Sequence, residues 1–577
     1  MTYIVRSACR LSPWMVPRDT ASYSKNAKIA SQPVVQLDRG PFASQLDYKS
    51  RLQFNAPTLD YALSGIICTI GPATNKPETI VKLIEAGMRV VRLNFSHGTH
   101  EYHCRTIQAA RKAIDCYTHK MGVHKPVAIA LDTKGPEIRT GQNEGSDTAI
   151  IVLKRGDKIK LTTDKSVENK GNKNMIYVDY EKLSLIIKPE NIIYIDDGLI
   201  SMRVLQVIGN QIVCEVVNGG KLGSRKGVNL PGTPVDLPSI SERDKLDLKF
   251  GVEQDVDMIF TSFIRDATAI DEIRKILGTV GKHIKIISKI ENQQGLQNID
   301  SIIAASDGVM VARGDLGIEI STEQVVLAQK CIIAKCNKMG KPVICATQML
   351  ASMEDNPRPT RSEASDVGNA IFDGADCVML SGETAKGMYP VECVRCMTDL
   401  CSKVESVLWY EQMQNEMKTV VQSSTSDNLS AITLGITEIA SLSRANAIVI
   451  VSPCPLMAQL ISQFRPRCPI VFVTGNPRVA RQSVLYRGVC PLVPEAMANG
   501  CIDFARILTM SLEQMAKLKI INVDQTLKVM SVNALKADKI SFRLLHMKQK
   551  SQETKCKETA AIKAKCSAKI TNCFKKS

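Results

Sequence analysis

Residues 284–296 read IKIISKIENQQGL, an apolar run that closes on a lysine and a glutamate two positions apart. In a strand alternate residues share a face, so Lys289 and Glu291 point the same way. Alone, such a pair reads as a solvated strand end whose ion pair contributes little. The run before it is apolar at nearly every position, which marks a strand buried on both faces of a parallel sheet. The fold therefore depends on how many similar runs the chain holds. Seven more occur: GIICTIGP (65–72), RVVRLNFSH (89–97), VAIALDTKG (127–135), DMIFTSFIR (257–265), DGVMVARGD (307–315), PVICATQML (342–350) and DCVMLSGET (376–384). Between most of them lie amphipathic stretches of helical length that end in glycine, such as PETIVKLIEAG (77–87) and TAIDEIRKILGTVG (268–281). Eight strand–helix units predict an α/β fold, a (β/α)8 TIM barrel.

One interval breaks the rhythm. After LDTKGPEIR, residues 137–238 alternate in strand fashion between turn signals, as in IIYIDDGLISMRVLQV (192–207). This predicts a small β-barrel domain inserted at the C-terminal end of the third strand, where a barrel carries its active site and a lid can close. The barrel would then comprise 64–136 and 239–408, followed by a doubly wound α/β domain over 409–547 built on strands such as NAIVIVS and CPIVFVTG. Residues 1–63 read as an extension and 548–577 as a basic disordered tail.

The chain has 577 residues, 44% hydrophobic and 23% charged, the balance of a globular protein. No uncharged apolar stretch is long enough for a transmembrane helix. The 19 cysteines are scattered and mostly lie inside apolar runs, which suits a reducing compartment. The single CxxC, Cys393 to Cys396, sits in a helical pattern with no second ligand pair. The net charge of +16 is concentrated at the ends, +4 in residues 1–63 and +7 in 548–577, leaving +5 for the other 484. A basic groove, and with it a nucleic-acid partner, is not expected. The first eighteen residues hold three arginines, two serines and no acid, fitting a mitochondrial transit peptide or a plain extension. The expected compartment is the cytoplasm.

In a barrel the polar residues that trail each strand converge on one mouth. Here they are Arg92, Asn94 and Ser96; Asp132, Thr133 and Arg139; Lys289 and Glu291; Asp315; Thr347; and Ser381 and Glu383. Glu291 and Asp315 end successive strands, about 5 Å apart. Two carboxylates with open positions suit Mg²⁺ held together with a substrate. Lys289 beside them can meet charge on a transferring group. The glycine turn at Gly314 offers backbone N–H groups to an anion. A Schiff-base lysine needs a depressed ammonium, and neighbouring carboxylates favour the charged form instead. Phosphoryl transfer is the better reading of these residues.

LNFSHGTHEYH (93–103), LDTKGPEIRTG (131–141), KGVNLPG (226–232), IISKIEN (286–292), VMVARGDLGIEI (309–320), ICATQML (344–350), RPTRSEASDV (358–367) and DGADCVMLSGETAKG (373–387) together resemble pyruvate kinase. The resemblance runs from about residue 44 to 505. It implies transfer of the phosphoryl group of phosphoenolpyruvate to ADP, giving pyruvate and ATP. By resemblance, Lys289 stabilises the phosphoryl group in flight, and Glu291 and Asp315 hold Mg²⁺ or Mn²⁺. Arg92 grips the substrate phosphate, Gly314 and Asp315 contact substrate, and Thr347 sits where the enolate carbon is protonated. Asn94, Ser96, Asp132 and Thr133 match a K⁺ site, and Asn94, His97, Arg139 and Lys226 match nucleotide contacts. Glu137 matches the glutamate of K⁺-dependent members; members with lysine there do without the ion. A homotetramer is also implied. The alternative is an inactive paralogue kept as a binding or structural protein.

One region departs from the family. Many eukaryotic members bind a sugar bisphosphate at a Ser/Thr-rich turn after a C-terminal strand and at a later glycine-rich loop. Here the turn is SPCPLMAQL, in which Pro453 and Pro455 have no N–H to donate. The later loop, within TLKVMSVNALKADKISFRLLHM, contains no glycine. Fructose bisphosphate is not expected to bind tightly or to activate.

Overall fold

The computed structural model describes residues 42–547 except 60, 147, 234, 424–427, 499–502, 522–526 and 537–538. The expected basic tail at 548–577 and most of the N-terminal extension lie outside the described residues.

Eight parallel strands close into a barrel in sequence order: β1 (Gly65–Thr69), β2 (Met88–Asn94), β3 (Ala128–Asp132), β4 (Met258–Thr261), β5 (Lys285–Ile290), β6 (Gly308–Ala312), β7 (Val343–Ala346) and β8 (Cys377–Leu380). Alternation along each strand divides the apolar residues between two cores. Ile67, Val90, Phe260, Ile287, Met310, Ile344 and Met379 fill the barrel interior. Ile66, Cys68, Val91, Ile259, Ile286, Val309 and Val378 pack outward against the helices. This double burial explains why the strands read as continuous apolar runs. The helices start and stop where their sequences dictate: Pro77 opens Pro77–Ala86, and Gly87 closes it at φ 129°. Ser241 with Asp244, and Thr360 with Glu363, form capping boxes on Glu242–Glu253 and Arg361–Asp373.

The chain leaves the barrel after β3 and builds a seven-stranded sheet, plus a two-stranded one, around its own apolar core before returning at the helix Glu242–Glu253. The strand that enters this lid, Ile138–Arg139, pairs antiparallel with the strand near its exit, Gly227–Asn229. Beyond the barrel, a five-stranded sheet has the order Val489–Leu492, Ile470–Val473, Ala447–Val451, Leu527–Lys536 and Lys539–Met547, with only the last strand antiparallel. Val449 faces one core and Ile448 and Ile450 the other, so helices cover both faces. Val484 and Leu485 from this unit plug the barrel interior at its base.

The base is also tied by buried charges. Arg465 donates to Asp376 at 2.7 Å, both side chains being about 5% exposed or less, and Asp376 also accepts the N–H of Val343. Arg481 donates to Asp257 at 2.8 Å, and the other oxygen of Asp257 accepts the N–H of Ile129. Among the described residues no helix is long and apolar enough to cross a membrane.

Candidate active site

The C-terminal ends of the barrel strands and the lid enclose a cavity of about 830 Å³. Its wall includes Arg92, Asn94, Ser96 and His97 from β2 and its trailing loop, and Lys289, Glu291 and Asp315 from the ends of β5 and β6. The lid contributes Arg139, Asp196, Asp197 and Lys226.

Lys289 is the hub. Its ammonium lies 3.0 Å from Asp132 Oδ1, 2.9 Å from Glu291 Oε1 and 2.7 Å from Ser262 Oγ. Burial works against its charge, but Asp132 and Glu291 outweigh burial and hold the pKa above the ordinary lysine value. That keeps Lys289 an ammonium and removes the Schiff-base reading. Asp132 is fully enclosed; burial opposes its charge, yet Arg92, donating at 2.7 Å, and Lys289 draw its pKa below the usual carboxylate range.

Glu291 has no exposed surface, and burial pushes it up to about 7, with Lys289 offsetting part of the rise. Its Oε2 accepts the N–H of Phe263 at 2.6 Å, an N–H turned inward by a left-handed backbone at φ 56°. Lys289 approaches Oε1 outside hydrogen-bonding geometry, so that buried oxygen has no hydrogen-bond partner. Asp315, likewise raised by burial, stands close enough to push Glu291 further up. Two desolvated carboxylates on neighbouring strand ends are the kind of oxygen donors that suit a hard divalent cation with open positions. Among the described residues no group of three or more His, Cys, Asp or Glu side chains could hold a metal, so the remaining ligands would come from substrate and water.

The residues expected to hold a monovalent cation also lie together. Asn94 and Asp132 are register partners on β2 and β3, Asn94 Oδ1 accepts the N–H of Ser96, and Thr133 follows Asp132. Oxygen donors of this kind suit K⁺. Glu137, on the cavity wall, pairs with Arg139 at 2.5 Å. Lys226 pairs with Asp196 at 2.9 Å, and the carbonyl of His97 takes a hydrogen bond from the buried His103.

Three expected features differ in detail. Thr347 and Gly314 are not among the residues that wall the cavity; they contact each other, Gly314 N–H donating to Thr347 Oγ1 at 3.2 Å, so that N–H already has an acceptor. Thr347 is left-handed at φ 73°, strained for a β-branched residue by about 1–3 kcal/mol. Glu383 does not join the rim's chemistry: it is 2% exposed and accepts the N–H groups of Ser381 and Leu350, fastening the loop after β7. Sequence reasoning passed over Ser262, whose hydroxyl bonds Lys289, Asp132 and the carbonyl of Thr133. Its signal, an uncharged residue just past β4, is quiet. Asp196 and Asp197 were hidden in what reads as a lid turn.

The comparisons with known proteins agree with this geometry. Residues 62–394 match the sequence model described as "Pyruvate kinase, barrel domain" and residues 430–534 the one described as "Pyruvate kinase, alpha/beta domain". The chain belongs to the pyruvate kinase family. It is 50% identical over 447 residues to the pyruvate kinase of Leishmania mexicana, covering 77% of this chain and 88% of that protein. It is 52% identical over 431 residues to that of Candida albicans, covering 74% and 84%. With the human pyruvate kinase PKLR identity is 45% over 501 residues, covering 84% and 87%. Pyruvate kinases generally need Mg²⁺ and K⁺.

Proposed function

We propose that this member of the family is an active pyruvate kinase, transferring the phosphoryl group of phosphoenolpyruvate to ADP to give pyruvate and ATP. The observation that carries the reading is the buried ammonium of Lys289, held between Asp132 and Glu291 at the mouth beneath the lid. A loose, highly anionic phosphoryl transition state needs positioned cations more than covalent chemistry.

The roles are those that the family resemblance implies for these positions. Arg92, fixed by Asp132 and by Thr69 Oγ1, presents its guanidinium to the substrate phosphate. Lys289 meets the phosphoryl group as it moves. Glu291 and Asp315 would hold Mg²⁺ or Mn²⁺, which when bound neutralises phosphate and enolate oxygens. Asn94, Ser96, Asp132 and Thr133 would hold K⁺. His97, Asn94, Arg139 and Lys226 line the nucleotide side, Arg139 on one of the paired lid strands and Lys226 just before the other. Gly314 and Thr347 sit on the face where the enolate carbon takes its proton. The reading includes a homotetramer working in the cytoplasm, both supported by family membership alone.

A coupled assay of the purified chain with phosphoenolpyruvate, ADP, Mg²⁺ and K⁺ tests the activity. Steady ATP formation is expected, and its absence from a folded preparation would overturn the reading. Light scattering checks the tetramer.

A further inference from the structure

The proposed reaction needs Thr347 in one place, yet the residue is held in a conformation its side chain disfavours. Both Thr347 and the exposed Gln348 are left-handed, at φ 73° and φ 53°. Such backbone persists only where the surroundings over-determine it. One side chain bonds the carbonyls on this turn. Arg313, directly after β6, has a side chain 11% exposed and donates across to the end of β7. Its Nη2 donates to the carbonyl of Thr347 at 2.7 Å and its Nε to the carbonyl of Ala346 at 3.3 Å. The far side of the guanidinium is anchored in turn: Nη1 donates to Asp366 at 2.8 Å and to Gln329 at 3.2 Å.

We propose that Arg313 is the positioning residue for Thr347: its guanidinium clasps the two carbonyls at the end of β7, with Asp366 as its anchor, and so fixes the threonine hydroxyl against Gly314. A planar, five-donor side chain is suited to this, because it can satisfy two successive carbonyls on one edge and a carboxylate on the other. Arg313 spends its donors on Ala346, Thr347, Asp366 and Gln329 and on none of Arg92, Lys289, Glu291 or Asp315, so its effect should fall on the enolate rather than on substrate binding. The inference rests on the function proposed above, and on Thr347 acting at the enolate carbon.

The test uses Arg313→Gln, Asp366→Asn and the double variant Arg313→Gln/Gln348→Gly in the full chain, with melting curves to confirm folding. Two quantities are read: the kcat and KM for phosphoenolpyruvate, and the exchange of pyruvate C3 hydrogens with D2O in the presence of ATP, Mg²⁺ and K⁺. In that exchange a C3–H bond breaks, its proton goes to solvent, and a deuteron returns to the same carbon. Arg313→Gln should lower kcat and the exchange rate together by about 10- to 100-fold while KM changes less than about threefold. Asp366→Asn should move both in the same direction by less. Glycine at 348 removes the strain from the second left-handed residue, so the double variant should recover part of the loss. Unchanged exchange in Arg313→Gln, a loss confined to KM, or no recovery in the double variant would overturn the inference. Were Arg313→Gln not to fold, a wild-type exchange rate in Asp366→Asn would overturn it. A wild-type chain that makes no ATP would instead overturn the function.

Discussion

Both ends of the barrel bury charge, and they do so to opposite ends. At the base, Asp376 spends its oxygens on Arg465 and on the N–H groups of Val343 and Arg487, and Asp257 spends its own on Arg481 and Ile129. At the mouth, Glu291 keeps one buried oxygen without a hydrogen bond, and Lys289 is gripped by carboxylates that would otherwise repel each other. A fully satisfied buried ion holds parts together; a partly satisfied one waits for a ligand. Charge count alone does not distinguish the two ends, whereas the carboxylate oxygens do: both oxygens of Asp376 and of Asp257 accept hydrogen bonds.

Lys289→Met breaks the mouth. Turnover should fall by about 10³-fold or more, since the group acts on charge that develops in the transition state. The melting temperature should hardly move, because Glu291, already pushed up to about 7, can take a proton in place of the lost ammonium. Steady-state kinetics and a melting curve on one preparation check both halves.

Arg465→Met breaks the base with the reverse outcome. It leaves Asp376 buried without its cation, a loss of about 3–5 kcal/mol of stability. Protein kept well below its melting temperature should retain kcat. Loss of turnover without loss of stability would erase the contrast between the ends.

Replacing K⁺ by a bulky organic cation should remove most of the activity, because position 137 carries a glutamate and not a lysine whose ammonium could stand in for the ion. Full activity in tetramethylammonium would contradict that. A smaller effect concerns Asp257, which burial pushes up to about 6 from its ordinary 3.8, against the pull of Arg481. A raised carboxyl stabilises the fold fully below its unfolded value and loses that contribution as pH rises through the folded one. Relative to Asp257→Asn, the wild type should therefore lose stability between about pH 4 and 6 and follow a parallel line above 7; denaturant midpoints across that range measure it. The smallest expected effect is none: micromolar fructose bisphosphate at subsaturating phosphoenolpyruvate should leave the rate unchanged. In the structure Pro453 and Pro455 flank an exposed Cys454, whose N–H turns back to Ser452 Oγ. A several-fold activation would show that reading wrong.

The barrel was legible because strands buried on both faces leave a signal that needs no partner to interpret. The pairing of Lys289 with Glu291 was legible from a two-residue period. What the sequence hid was anything that depends on where backbone turns. Phe263 reads as one more apolar residue, yet its left-handed N–H fixes the orientation of Glu291. Glu383 follows a strand as Glu291 and Asp315 do, but its neighbours offer two N–H groups and so it fastens a loop. Arg313 lies inside a recognised motif, and only the placement of β7 beside β6 reveals what its guanidinium reaches.

The lid's attachment bears on how such an enzyme could be taken apart. Gly135, before the insertion, donates to Asp244, after it, at 3.0 Å, so the two points where the chain leaves and rejoins the barrel are one hydrogen bond apart. The barrel's third and fourth strands are direct neighbours despite the hundred or so residues between them. For the barrel, then, the lid is topologically a long surface loop, whose closure entropy grows only slowly with length. A chain with the lid excised and a short glycine-rich bridge in its place should still close its eight strands, and the lid's separate core makes it a candidate for exchange between relatives as an intact module.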